Sequence, residues 1–238
     1  MDLLILPAFN EAPNVPPLIE AIIAVQQQSD RDLTVLVIDD GSTDNTAEVV
    51  QSLQVRFSSI QLLQHHENRG LGAGIRSGLA YAHEHGFTTA IVMDADLSHN
   101  PQDLPAFWAA LDNGADLVVG SRYIGGGGMK DVPWWRRTIS NVGNRVGRHI
   151  LGVSIRDMTS GFRGFRVATA GSLSLEEDGY GIQLEAVVKA AAAHLCIVEV
   201  PIILKLRRFG SSKMLYNAVF WRNYLFLFWR ALHWARMK

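Results

Sequence analysis

Val92-Met93-Asp94-Ala95-Asp96-Leu97-Ser98-His99 is the stretch on which the reading of this chain turns. The apolar run from Ala90 to Met93 leads into it and reads as a buried strand. Two carboxylates, one residue apart, stand at its exit. Held that close, they repel each other unless positive charge sits between them. A divalent cation that also carries phosphate oxygens is a common solution for such hard oxygen ligands. A strand end followed by an Asx turn gives the same letters, so the pair alone leaves both readings open. The other strand ends weigh in favour of the first.

Upstream, strand and helix signals alternate. Leu3–Leu6 is a short apolar run ended by Pro7. Asn14, Pro16 and Pro17 open a helix that runs to about Gln28, with proline in its first turn. Leu33–Ile38 is a β-branched strand, and Asn45 with Glu48 forms the pattern of a capping box for a helix to about Phe57. Ile60–Leu63 reads as strand, Leu71–His85 as helix, Thr89–Met93 as strand, Pro101–Asn113 as helix and Asp116–Val119 as strand. This alternation predicts an α/β fold: a mostly parallel sheet with helices on both faces. In such sheets the ligand lies beyond the carboxyl ends of the strands.

Those ends share a character. They carry Pro7-Ala8-Phe9-Asn10-Glu11, Asp39-Asp40-Gly41-Ser42-Thr43-Asp44, Asn68-Arg69-Gly70-Leu71-Gly72-Ala73-Gly74, the Asp94–Asp96 pair, and Gly120-Ser121-Arg122-Tyr123. One polar or glycine-rich end is ordinary loop chemistry; five in register predict a cleft able to hold a nucleotide. The second half is less regular. Gly125 to Gly128 is a glycine loop, Trp134 to Leu151 a helix with four arginines, and Arg156 to Arg163 a polar loop. Ile197–Leu204 reads as a strand, with Pro201 placing it at an edge.

With 238 residues, 48% hydrophobic and 19% charged, the chain is globular and long enough for a proper core. A net charge of -1 gives no electrostatic basis for nucleic-acid binding. The single cysteine, Cys196, excludes an internal disulfide and is expected to be a buried inert thiol. Leu3–Leu6 is too short for a signal-peptide core, and no run of 18 apolar residues predicts a membrane span.

Taken in order, Pro7-x-x-Asn10-Glu11, Asp39-Asp40-Gly41-Ser42-x-Asp44, Asn68-Arg69-Gly70-x-Gly72, Asp94-x-Asp96-x-Ser98-His99, Gly120-Ser121-Arg122-Tyr123, Thr159-Ser160-Gly161-Phe162-Arg163 and Arg207-x-x-Gly210-x-Ser212-Lys213 resemble the dolichol-phosphate mannose synthase group. That group belongs to the inverting family 2 glycosyltransferases with the GT-A (nucleotide-diphospho-sugar transferase, Rossmann-like) fold. The resemblance spans roughly residues 4 to 215. It implies transfer of a sugar, mannose from GDP-mannose, to a polyprenyl or dolichyl phosphate. Pro7, Phe9, Glu11, Ile38 and Asp40 would line the nucleoside pocket, with Phe9 standing where a tyrosine is expected. Asp94, Ala95, Asp96, Leu97, Arg122, Arg207 and Lys213 complete the nucleotide-sugar set. Asp94, Asp96 and Ser98 would hold Mg²⁺ or Mn²⁺; His99 is read as a turn residue. Arg122, Arg136, Ser140, Arg207 and Lys213 would receive the acceptor phosphate. Asp96 and Arg122 carry the catalytic roles in this reading.

A phosphate acceptor has a mechanistic consequence. Its second pKa is about 6, so it arrives largely ionised and needs no strong general base. It needs cations that hold two phosphate-bearing substrates together.

Residues 1–213 are thus expected to form the catalytic domain and 214–238 an amphipathic helix. In that tail Arg222, Asn223, Arg230, His233 and Arg236 share one side, while Trp221, Tyr224, Phe228, Trp229 and Trp234 enrich the rest; Phe226 falls on the polar side. An aromatic helix with a basic face suits a membrane interface, which implies a peripheral protein on the cytoplasmic face of a membrane. The alternatives are a family 2 enzyme for another donor, such as UDP-glucose, or another acceptor; a non-catalytic GT-A-like subunit; and a nicotinamide-dependent oxidoreductase suggested by Gly70-x-Gly72-x-Gly74. The oligomeric state is not legible.

Overall fold

The computed structural model describes residues 1–209 and 218–235, with backbone alone for 218–225. Nine strands and eight α-helices are present among these residues. The first half follows the alternation read from sequence: β1 (Asp2–Ala8), α1 (Val15–Ser29), β2 (Leu33–Asp39), α2 (Thr46–Arg56), β3 (Ile60–Gln64), α3 (Leu71–Glu84), β4 (Thr89–Val92), α4 (Leu104–Asp112) and β5 (Leu117–Ser121). The second half adds β6 (Gly128–Met129), α5 (Trp134–Leu151), β7 (Arg163–Arg166), α6 (Val167–Ala170), α7 (Ile182–Ala192), β8 (Ile197–Pro201), β9 (Ile203–Leu204) and α8 (Ala218–Ala235).

Seven strands form one sheet in the order β3-β2-β1-β4-β7-β5-β8. All neighbours are parallel except β7, which runs antiparallel between β4 and β5. Period-2 alternation explains the two cores. In β1, Leu3 and Ile5 face α3, α7 and α8, while Leu4 and Leu6 face α1, α2 and α4. All four are fully buried, each contributing about 1.5–3 kcal/mol of apolar transfer. The sheet is therefore covered on both faces. The strand order reverses between β1 and β4, and at that switch point the carboxyl ends leave a crevice.

Several local expectations change. Asn45 makes no side-chain cap. Asp44 replaces it: its carboxylate accepts from the Thr46 amide at 3.0 Å and the Thr46 hydroxyl at 2.5 Å. Strand β7 begins at Arg163, the last residue of the expected polar loop, and Arg163 is 1% exposed although it looks like a surface residue in sequence. Its Nε and Nη2 donate to the carbonyls of Ser160 and Met158. The run Ile197–Leu204 splits at Pro201: β8 takes the sheet edge, and β9 pairs with β6 in a separate two-stranded sheet. Cys196 is exposed rather than buried, just ahead of the edge strand.

Helix α8 is not a detached appendage. Leu227, Ala231 and Trp234 enter the α3–α7 core. Arg230, assigned by periodicity to a polar outer face, pairs with Glu176 and Glu177 of the domain. Phe226 and Trp229 stay exposed.

Candidate active site

The strand ends converge on a cavity of about 740 Å³. One wall is built by the β1 and β4 ends. Glu11 leaves β1 through Asn10, whose φ of 56° turns the chain. The Asn10 side chain accepts from the Thr43 and Asp44 amides at 2.8 and 3.3 Å, tying this loop to the loop after β2. Asp94 and Asp96 both line the cavity, with 36% and 22% of their side chains exposed to it. Leu97 takes φ 64°, and the turn it makes brings the Ser98 amide to Asp96 Oδ1 at 3.0 Å. This left-handed residue costs about 1 kcal/mol or more; it bends the chain so that both carboxylates remain on the cavity side.

Burial is the main cause that pushes the Asp94 carboxyl above its ordinary 3.8; His99 opposes it, and the charges of Asp96 and Glu11 add to it. His99 stacks on Phe162 at 5.0 Å, and its Nδ1 accepts from the Asp94 amide at 3.3 Å, which fits its reading as a turn residue. Arg207 reaches into this acidic wall. Its Nη2 donates to Glu11 Oε1 at 2.5 Å and its Nε lies 4.0 Å from Asp96 Oδ2.

No group of three His, Cys, Asp or Glu side chains able to cage a metal exists among the described residues. Asp94, Asp96 and the buried Ser98 supply two carboxylates and a hydroxyl, too few to coordinate a hard cation alone. They fit an ion whose remaining ligands come from phosphate oxygens and water.

Basic side chains line the same cavity. Arg122, at the β5 end, forks onto Asp157 with Nε–Oδ2 2.7 Å and Nη2–Oδ1 2.6 Å, and Nη2 also donates to Thr159 Oγ1 at 3.0 Å. Burial opposes the guanidinium charge, but these bonds outweigh it and raise the Arg122 pKa. Nη1 makes no hydrogen bond among the described residues, and Arg122 lines the cavity. Helix α5 brings Arg136 and Ser140 to the same cavity. Ser140 Oγ accepts from the Tyr123 hydroxyl at 2.7 Å, which leaves its own O–H to donate.

Not every expected residue reaches the cavity. Pro7, Phe9, Glu11, Asp40 and Ala95 do. Ile38 is fully buried in the core beneath α3, and Leu97 packs toward α1 and α4; neither lines it. Lys213 lies outside the described residues. The Asp40 carboxylate is already engaged: it accepts from the Arg69 and Gly70 amides at 3.0 and 2.8 Å and contacts His65 Nδ1 at 2.7 Å. It shapes the loop that borders the pocket. Asp157, His65, Tyr180 and Gln183 escape a sequence reading because no motif spacing marks them.

The glycines after β3 are not a phosphate cradle. The Gly72 and Ala73 amides that open α3 donate to the Asp178 carbonyl at 2.6 and 3.4 Å. A Cβ at Gly72 would lie 2.0 Å from the Glu177 carbonyl oxygen. These residues admit the close approach of the 177–181 loop, and the helix end a dinucleotide would need is occupied. The nicotinamide alternative fails on that geometry.

Residues 3–171 match the family model described as glycosyl transferase family 2. The chain belongs to that family. Its relatives include polyprenol monophosphomannose synthase of Mycolicibacterium smegmatis, 34% identical over 89% of this chain and 80% of the relative. Undecaprenyl-phosphate mannosyltransferase of Micrococcus luteus is 35% identical over 89% and 86%. Dolichol-phosphate mannosyltransferase of Pyrococcus furiosus is 32% identical over 97% of this chain and 63% of its own length. The fold resembles glucosyl-3-phosphoglycerate synthase of Mycobacterium tuberculosis, with TM-score 0.73 at 18% identity, covering 98% of this chain and 80% of that one. That enzyme's structures include complexes with Mn²⁺ and UDP and with Mg²⁺ and UDP. The GT-A architecture read from sequence is therefore present, and this family 2 member is a glycosyltransferase.

Proposed function

We infer that this glycosyltransferase moves mannose from GDP-mannose to a polyprenyl phosphate, with inversion at the anomeric carbon. The observation that carries the reading is one cavity lined both by carboxylates, Asp94, Asp96 and Glu11, and by arginine and hydroxyl donors, Arg122, Arg136 and Ser140. Two anionic substrates need both sets: one phosphate group enters on a cation, the other on arginine and hydroxyl donors. The names of the curated relatives support a lipid-phosphate acceptor and mannose.

Asp94, Asp96 and Ser98 would hold Mg²⁺ or Mn²⁺, which when bound supplies positive charge to the departing nucleoside diphosphate. Arg207, anchored by Glu11, adds charge on the same side. Arg122 Nη1 and the Ser140 hydroxyl orient the acceptor phosphate, which attacks already ionised. Catalysis rests on positioning and electrostatics. Calorimetry in Mg²⁺ tests the donor: GDP binding at least about tenfold tighter than UDP supports it, and the reverse order favours a UDP-sugar.

A lipid acceptor implies membrane contact. No described helix is long and apolar enough to cross a membrane. However, α5 exposes Trp134, Val142, Val146 and Ile150, and α8 exposes Phe226 and Trp229. Gly147 of α5 packs close to Phe228 of α8, so the two helices adjoin. Arg137 and Arg145 are exposed on α5 as well. Apolar and aromatic groups flanked by arginines suit an anionic lipid surface. Truncation after residue 215 would strip Leu227, Ala231 and Trp234 from the core, so point changes are the cleaner probe. The triple change Val142→Glu, Val146→Glu and Trp229→Glu is expected to weaken sedimentation with anionic vesicles by at least about tenfold, with Tm little changed. Unaltered sedimentation would remove this face from the account.

A further inference from the structure

Two buried polar side chains on the cavity wall each carry an atom without a partner among the described residues. Ser160 is 2% exposed and Gln183 is 5% exposed, and both line the cavity. Ser160 Oγ and Gln183 Nε2 make no hydrogen bond among the described residues. A buried amide or hydroxyl left unmade costs about 1–3 kcal/mol, so such groups persist where a ligand completes them.

Their placement says which part of a ligand. Ser160 precedes Gly161, and a Cβ at Gly161 would stand 2.9 Å from Asp94 Oδ2. On its other side Thr159 accepts from Arg122. Ser160 is thus flanked by a residue against Asp94 and a residue bonded to Arg122. Gln183 sits in the first turn of α7, behind the Gly179–Gly181 stretch that also lines the cavity. Both are neutral, and the cavity's arginines already meet a phosphate's need for positive charge. A hydroxyl with no partner and an amide with an unused donor match the hydroxyl groups of a sugar ring. We propose that Gln183 and Ser160 are the residues that bind the donor's hexose and set which hexose is accepted. This rests on the nucleotide-sugar reading given above.

Gln183→Met keeps the shape of the side chain and removes the unpaired amide. Stability is then expected to hold or rise, since a buried unsatisfied group has been deleted. Transfer is expected to fall about 10- to 200-fold in kcat/KM, while calorimetric affinity for GDP, which carries no hexose, stays within twofold. Monodeoxy analogues of the donor give the sharper readout. The unmutated enzyme rejects at least one of them, and Gln183→Met or Ser160→Ala no longer distinguishes that analogue from the full sugar. Ser160→Ala deletes one oxygen and carries the test if Gln183→Met does not fold. Unchanged discrimination in the variants that fold, or a Tm that drops in parallel with activity, would overturn the assignment. An unmutated protein that binds neither GDP nor UDP and forms no glycolipid would instead overturn the donor reading itself.

Discussion

Asp96→Ala is expected to lose about 10³-fold or more in kcat while its Tm moves by no more than about 4 °C. The asymmetry follows from what Asp96 touches. Its bonds within the fold are few: Oδ1 accepts the Ser98 amide, and Oδ2 sits at the margin of contact with Arg207. Loss of one exposed-side hydrogen bond costs about 1 kcal/mol, equivalent to about 2–4 °C in a domain of this size. Removing one of two adjacent carboxylates also relieves repulsion that raises the Asp94 pKa. Charge stabilisation of a leaving diphosphate is worth several kcal/mol, and each 1.36 kcal/mol is tenfold in rate. The check is a glycolipid assay beside a thermal melt. An active Asp96→Ala enzyme would remove the cation from this wall.

Arg122→Met has the second large effect, and here fold and activity fall together. Asp157 is fully buried, and its carboxylate accepts from the Arg122 guanidinium at both oxygens and from the Arg122 amide at 2.9 Å. Removing the guanidinium strands a buried charge, which costs about 3–5 kcal/mol and lowers Tm by about 10 °C. Adding Asp157→Asn removes that charge while keeping an acceptor for the amide, and is expected to recover most of the Tm. Transfer is not recovered, because the guanidinium that lines the cavity is gone. Recovery of both in the double variant would make Arg122 a structural residue only.

These effects show how unevenly the sequence reveals the site. The Asp94–Asp96 pair, Glu11 and Arg122 are legible because strand alternation puts these carboxyl ends on one side; Arg207, beyond β9, is legible only through the family resemblance. Ile38 and Leu97 fall outside the cavity lining, because a residue's position beside a motif does not say which way its side chain turns. Asp157 and Arg163 lie in a segment whose polarity reads as solvent exposure. The tertiary pairing of β7 between β4 and β5 buries Arg163, and the fork of Arg122 takes up the buried Asp157. For α8, periodicity found the amphipathic faces but assigned Arg230 to the outside, since Glu176 and Glu177 lie more than fifty residues away in sequence.

The central claim is that one cavity joins a nucleotide-bound mannose to a lipid phosphate. It is tested by incubating the full chain with Mg²⁺, a polyprenyl phosphate and a set of nucleotide sugars, then weighing the lipid product. The account predicts a single hexose added from GDP-mannose, as the β-linked phosphodiester. A product formed only from UDP-glucose, or no lipid product from any donor with both substrates bound, would contradict it.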